Sequence, residues 1–312
     1  MEAAPLYEDI AGGPSGGVAH WLTTSDNLRI RVGFWGHAAA KGTVLIFPGR
    51  TEFVEKYGRT AQALQDRGYA SLAIDWRGQG IADRMTPNRA IGHVGHFNDY
   101  QKDLAAVLAY ARERDLPKPY FMIGHSMGGC IGLRSLIEGL DVKAIMFSAP
   151  MWGVQMAPPL RPVAWGLSTV SRPLGFDQTL VPGQFEESYV FRTGFAENTL
   201  TCDPDMFAIF QEQLRAHPDL GLGGPSLRWL NASLVEMQKL SKLHTPACPC
   251  LTFLGTDEAI VDPQAIRNRM RQWPNGVLRV IKGGRHEMLM DSPARRAMIF
   301  DETAALFDAQ LT

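Results

Sequence analysis

With 312 residues, 45% of them hydrophobic and 20% charged, the chain can bury one large core or a core carrying an insertion. A formal net charge of −1 and no run of lysine or arginine argue against a nucleic-acid surface, so no nucleic-acid partner is expected. Met1 to Pro14 has no apolar stretch of signal-peptide length, and no uninterrupted apolar span could cross a bilayer, so the expected location is the cytoplasm.

Residues 20–24 and 28–35 alternate apolar and polar around the turn Ser25-Asp26-Asn27 and read as an opening hairpin. Thr43 to Phe47 is a continuous apolar run stopping at Pro48-Gly49, the mark of a buried strand ending in a loop. A helix is expected from about Glu55 to Arg67, closed by Gly68, and Tyr69 to Ile74 is the next strand. The turn-rich loop Asp75 to Gly80 follows, in which Asp75 and Arg77 read as structural. A second helix runs from about Asn98 to Arg114, until Pro117 and Pro119 break it.

Tyr120 to Ile123 is again a buried strand, and Cys130 to Ile137 reads as a helix. Between them lies Gly124-His125-Ser126-Met127-Gly128-Gly129, which sets a serine at the apex of a strand-to-helix turn. The backbone of such a turn is crowded, so the positions two before and two after the serine must lack bulk; here both are glycine. The turn presents the hydroxyl to a substrate carbonyl and aims the Met127 N–H at the oxygen that would become negative.

Val142 to Ser148 is another buried strand, and the alternation of strands and helices implies a mostly parallel, doubly wound sheet. The rhythm then fails. From Met151 to about His244 the chain has eight prolines, tryptophans at 152, 165 and 229, and helical pieces over Asp205 to Ala216 and Leu227 to Lys242, with nothing like a buried strand. An insertion at this point reads as a helical lid whose apolar and aromatic residues line an acyl pocket. Cys250 to Leu254 resumes the sheet, a helix from about Pro263 to Gln272 follows, Val277 to Ile281 is the last strand, and a terminal helix covers about Ser292 to Ala309. The domains are thus a core over 1–150, a helical cap over 151–244 and the rest of the core over 245–312. The four cysteines, Cys130, Cys202, Cys248 and Cys250, have neither zinc-knuckle nor redox spacing and read as reduced and structural.

A serine hydroxyl needs a base within hydrogen-bond reach, itself oriented by a carboxylate. His286, in a glycine-flanked loop directly after the last strand, fits the base. His125 adjoins the serine and so points elsewhere, while His93, His96, His217 and His244 stand near a helix start or the lid. Asp257 and Glu258 share the turn after the penultimate strand and are rival acids; Asp262, before Pro263, reads instead as a helix cap.

GHSMGG at 124–129, DWRGQG at 75–80, HFNDYQKDL at 96–104, EAIVDP at 258–263 and GGRHEMLMDSP at 283–293 come in the order found in one family. The chain resembles the monoglyceride lipase and lysophospholipase branch of the α/β-hydrolases over nearly its whole length. The resemblance implies an α/β-hydrolase fold with a lid, and a catalytic acid four residues before the aspartate of an I-V-D segment, which is Glu258. Aspartate is the commoner acid there, which keeps Asp257 as rival. The family's oxyanion loop corresponds to Phe47-Pro48-Gly49-Arg50-Thr51-Glu52, with proline where histidine is usual, so the N–H groups of Arg50 and Met127 would form the oxyanion hole. The Arg50 and Glu52 side chains read as a salt bridge holding that loop, with polar head-group binding as the alternative.

The expected activity is ester hydrolysis by Ser126, His286 and Glu258, with no metal or organic cofactor. The resemblance implies a small-molecule acyl ester, a monoacylglycerol or lysophospholipid, and transient membrane-surface contact through the lid. A short-chain carboxylesterase is the nearest alternative; a serine peptidase and a noncatalytic ligand-binding homologue are the others. Oligomeric state is not encoded in any pattern of the sequence.

Overall fold

The computed structural model describes residues 2–37 and 40–311. Among them nine strands form one sheet in the order β1-β2-β3-β5-β4-β6-β7-β8-β9. They are β1 (Ala3–Ala4), β2 (Val18–Thr23), β3 (Arg29–Trp35), β4 (Thr43–Phe47), β5 (Ala70–Asp75), β6 (Tyr120–His125), β7 (Ile145–Ser148), β8 (Cys250–Gly255) and β9 (Gly276–Ile281). The pairs β1·β2, β2·β3 and β3·β5 are antiparallel, and every pair from β5 through β4, β6, β7 and β8 to β9 is parallel. This is the α/β-hydrolase architecture that the motifs imply. The reason is visible in the apolar runs: β4, β5, β7 and β8 are buried along their whole length, as strands covered on both faces must be. The edge strand β9 is half exposed.

The helices are α1 (Glu8–Ala11), α2 (Gly58–Gln65), α3 (Tyr100–Glu113), α4 (Met127–Ile137), α5 (Leu160–Ser171), α6 (Tyr189–Arg192), α7 (Pro204–Ala216), α8 (Leu227–Leu240), α9 (Pro263–Arg271) and α10 (Pro293–Asp308). Asp262 caps α9 as its sequence context suggests, its side chain accepting the N–H groups of Gln264 and Ala265, with Pro263 in the first turn. Asp75 is buried, accepting from Arg31 and from the N–H of Val54, while Arg77 is held by Asp103 and Asp26. Both are frame residues. The four cysteines are free thiols.

Between β7 and β8 the chain adds no strand to the sheet and forms α5 to α8. The Ser226 hydroxyl caps α8 by accepting the Trp229 N–H, and α8 buries Trp229, Ala232, Met237 and Leu240 in the main core. The Asp203 side chain caps α7, whose Phe207, Phe210 and Leu214 make a second apolar cluster with Phe53 and Met290. By contrast, α5 and the turn after it leave Leu160, Val163, Val170 and Leu174 exposed to solvent. This stretch therefore has a firmly anchored end and an apolar outer one.

Candidate active site

Ser126 stands between β6 and α4 with φ 48° and ψ −117°, a conformation that costs a non-glycine residue about 1–3 kcal/mol. Surrounding bonds hold it there. Its N–H donates to the Ser148 carbonyl at 3.1 Å, and its own carbonyl accepts from Gly129 at 2.9 Å and Met151 at 2.8 Å. The glycines are required by space: a methyl on Gly128 would overlap the Phe47 carbonyl, and one on Gly124 would stand 3.0 Å from the Phe147 ring. The same close approach brings the loop after β4 against the start of α4. There the N–H groups of Arg50 and Met127 have no hydrogen-bond partner among the described residues, which leaves both available as donors.

His286 lies in the loop after β9, buried, and its Nδ1 is 2.9 Å from Glu258 Oε2. The other carboxylate oxygen of Glu258 accepts the N–H of Ile260 at 2.7 Å and that of Val261 at 3.1 Å. Burial works against the carboxylate charge, but His286 and the two backbone donors outweigh it and hold Glu258 below the usual range. Asp257 is exposed, and among the described residues its carboxylate accepts only the neighbouring Thr256 hydroxyl, at 2.8 Å. Of the two rival acids, the structure thus brings Glu258 to His286 and leaves Asp257 in solvent. Ser126 and His286 line the same cavity, without a hydrogen bond between them in this conformation.

The cavity has a volume of about 680 Å³, within the range of small-molecule sites. Its walls come mainly from the stretch between β7 and β8, including Leu160, Val163, Val190, Phe210 and Leu230. Of the three tryptophans in that stretch only Trp229 lines it; Trp152 instead stacks on Trp273 in the core at 6.0 Å between ring centroids.

A cluster of charged side chains on the cavity wall beside Ser126 and His286 has no clear signal in the sequence. Glu52 accepts the Gly49 N–H and the Tyr57 hydroxyl, and it pairs with Lys56. Lys56 also reaches Glu287, the residue after His286, at 2.8 Å. His125 completes the group: Nδ1 meets the Ser148 carbonyl at 3.0 Å, and Nε2 stands 3.3 Å from Glu287 Oε1 and 3.5 Å from Glu52 Oε1. Burial opposes charge on His125, but Glu287 and Glu52 prevail and raise its pKa; they raise that of Lys56 against the same burial. Glu52, His125 and Glu287 could offer donors to a metal ion, but the Lys56 ammonium already pairs with both carboxylates. The salt bridge read between Arg50 and Glu52 is corrected here: Glu52, in the loop before the Val54–Tyr57 turn, pairs with Lys56 in that turn, and Arg50 bonds a carbonyl.

Residues 38–293 match the family model described as Hydrolase_4, serine aminopeptidase, S33. The chain is 30% identical over 288 residues to lysophospholipase L2 of Escherichia coli (strain K12), covering 85% of this chain and 80% of that protein. Among solved structures, a soluble variant of monoglyceride lipase from Saccharomyces cerevisiae in complex with a substrate analog superposes with a TM-score of 0.72 at 22% identity, over 93% of this chain and 95% of that one. A thermostable carboxyl esterase from Bacillus coagulans in complex with glycerol gives 0.75 at 14% identity, over 96% and 100%. At those identities the two structures speak for the fold alone.

Proposed function

Because the chain belongs to the Hydrolase_4 (serine aminopeptidase, S33) family of α/β-hydrolases, in its lysophospholipase and monoglyceride lipase branch, and is a carboxylic ester hydrolase, we propose that it cleaves monoacyl glycerolipids through Ser126, His286 and Glu258. The observation that carries this reading is the 2.9 Å contact from Glu258 to His286 on the wall of a lipid-sized cavity that also contains Ser126.

In the proposed reaction, Ser126 Oγ attacks the ester carbon while His286 Nε2 takes its proton, and the carbonyl π electrons move onto oxygen. The N–H groups of Arg50 and Met127 receive that oxyanion; losing one such donor costs on the order of a hundredfold in turnover. Collapse of the tetrahedral intermediate expels the alcohol, protonated by His286, and leaves an acyl-serine. Water, deprotonated by His286, then attacks the acyl carbon, and the second tetrahedral intermediate expels Ser126 Oγ, which takes the proton back from His286 as the fatty acid leaves. Glu258 fixes the imidazole tautomer and balances the imidazolium.

Residues 151–244 serve in this reading as a lid on a core formed by 1–150 and 245–312. The exposed apolar side chains of α5, joined by Phe185, Phe191 and Phe195, suit transient contact with a lipid surface. Among the described residues no helix is long and apolar enough to cross a membrane.

The test is fatty-acid release from p-nitrophenyl esters, monoacylglycerols and lysophospholipids by wild type and Ser126→Ala. Turnover of long monoacyl lipids that vanishes in the variant supports the reading. Preference for short chains would shift the assignment to a carboxylesterase, and cleavage of peptide amides in preference to esters would shift it to a peptidase. Wild type that turns over nothing and takes no label from a fluorophosphonate would sink it.

A further inference from the structure

The Arg50 side chain is not used by the acyl-transfer steps above, although its backbone is. Its Nη1 donates to the Gly223 carbonyl at 2.8 Å, and the guanidinium stands 5.7 Å from the centre of the Trp229 ring. Gly223 and Trp229 both line the cavity, as Arg50 does. No carboxylate lies within ion-pair distance of it among the described residues.

Arg50 is half-buried, whereas the two fully buried arginines of this chain are compensated. Arg31 is held by Glu55 and Asp75, and Arg77 by Asp26 and Asp103. Arg269 also lacks a carboxylate, but it donates to the Leu240 and Leu243 carbonyls and to the Thr245 hydroxyl. Arg50 has one such bond for five N–H donors. Burial pulls its pKa down to about 10, so it remains charged at neutral pH with no anion of its own. A partly desolvated charge without a partner is unfavourable, and an anion entering the cavity would relieve it.

We propose that the Arg50 guanidinium is a phosphate subsite of this pocket and selects lysophospholipids over neutral monoacylglycerols. The inference rests on the proposed ester hydrolysis and adds the head group. The span fits: if the Arg50 N–H receives the ester oxygen as proposed, the guanidinium, which lines the same cavity, lies one side-chain length from that atom. In a lysophospholipid acylated at the terminal glycerol carbon, phosphorus is about six bonds from the ester carbon, a span close to that of an arginine side chain. A planar guanidinium with free donors suits a phosphodiester, which offers two oxygens side by side.

The test compares kcat/KM for a lysophospholipid and a monoacylglycerol with the same acyl chain, both as monomers, in wild type, Arg50→Gln and Arg50→Lys. The readout is the ratio of the two substrates, which a general disturbance of the loop would leave alone. The ratio is expected to fall by about tenfold or more in Arg50→Gln and to recover in part in Arg50→Lys. Equal losses on both substrates overturn the subsite while leaving the esterase reading intact; a wild type active on neither overturns both.

A second arm uses wild type only. An ether analogue of the lysophospholipid should inhibit p-nitrophenyl ester hydrolysis at about tenfold lower concentration than the matching alkylglycerol. Equal inhibition by the two ether lipids overturns the proposal, and so does inhibition by inorganic phosphate with no preference between them, which would mark a free-anion site.

Discussion

Lys56 Nζ stands 2.8 Å from Glu287 Oε1, a contact between residues 231 positions apart in the chain. Lys56 also pairs with Glu52, whose carboxylate accepts the Gly49 N–H, and Glu287 follows His286 directly. One ammonium therefore ties the loop that carries Arg50 to the loop that carries His286. The two carboxylates face Lys56 and His125 and raise the pKa of both against burial. The role of the cluster is positional, because none of its charged side chains is required to exchange a proton with substrate.

Lys56→Met should be strongly destabilising. It leaves Glu52 and Glu287 buried with one cation fewer, and removing one member of a buried ion pair costs about 3–5 kcal/mol. Urea unfolding of wild type and variant measures it. A loss below about 1 kcal/mol would mean that the cluster is solvated and holds neither loop.

Stability should fall on both sides of neutral pH, for different reasons. Burial disfavours the charge on His125, yet Glu287 and Glu52 hold its pKa above the ordinary value of 6.5. Its contribution is therefore complete below 6.5 and is lost as pH rises through the folded value. Glu258 and Glu287 lie below the ordinary value of 4.5, so their contributions are present above it and lost as pH falls through the folded values. Melting temperatures between about pH 5 and pH 9 should decline at the alkaline end in wild type, and His125→Asn should flatten that decline. An unchanged alkaline slope would show that His125 is neutral in the folded protein.

Glu258→Gln should lower kcat toward p-nitrophenyl esters by about a thousandfold or more, since the amide can no longer fix the imidazole tautomer or stabilise its charge. Asp257→Asn should change it less than about twofold, because that side chain is in solvent. The reverse pattern would move the acid to Asp257.

The contrast between these two carboxylates marks how far the sequence was legible. The Ser126 turn could be read because its demands are local: an apolar strand, glycines two positions away on each side, a helix. The parallel core could be read for a similar reason, since strands buried on both faces leave continuous apolar runs. Asp257 and Glu258 could not be separated by the residues around them, because the choice is made by the path of the loop, which turns the Ile260 and Val261 N–H groups onto Glu258. The Lys56 cluster was out of reach because it forms only when loops far apart in sequence meet, and a charge near a loop looks the same whether it finds a carboxylate or a carbonyl. That is also why Arg50 was paired with Glu52. Helix α5 has no clear signal either: Pro162 looks like a breaker, but it sits in the first turn, where no intrahelical N–H is needed. The strand Ala3–Ala4 is too short to carry any period.

The outer face of α5 leads to the last prediction. Val170 and Leu174 are 45% and 68% exposed and do not line the cavity, so no packing or substrate contact explains an apolar residue at either position. A single exposed aliphatic side chain is ordinary, but this face continues through Leu160 and Val163 beside a cavity suited to an acyl chain. If a lipid surface receives it, Val170→Glu combined with Leu174→Glu should remove about 1.5 kcal/mol or more per buried side chain from vesicle binding and add repulsion from anionic lipid. The expected result is at least a tenfold loss of co-sedimentation with anionic vesicles and a matching rise in KM for substrate presented in them, with monomeric p-nitrophenyl ester turnover retained. Equal binding by variant and wild type would mean that substrate reaches the cavity from solution and that the apolar face serves another purpose.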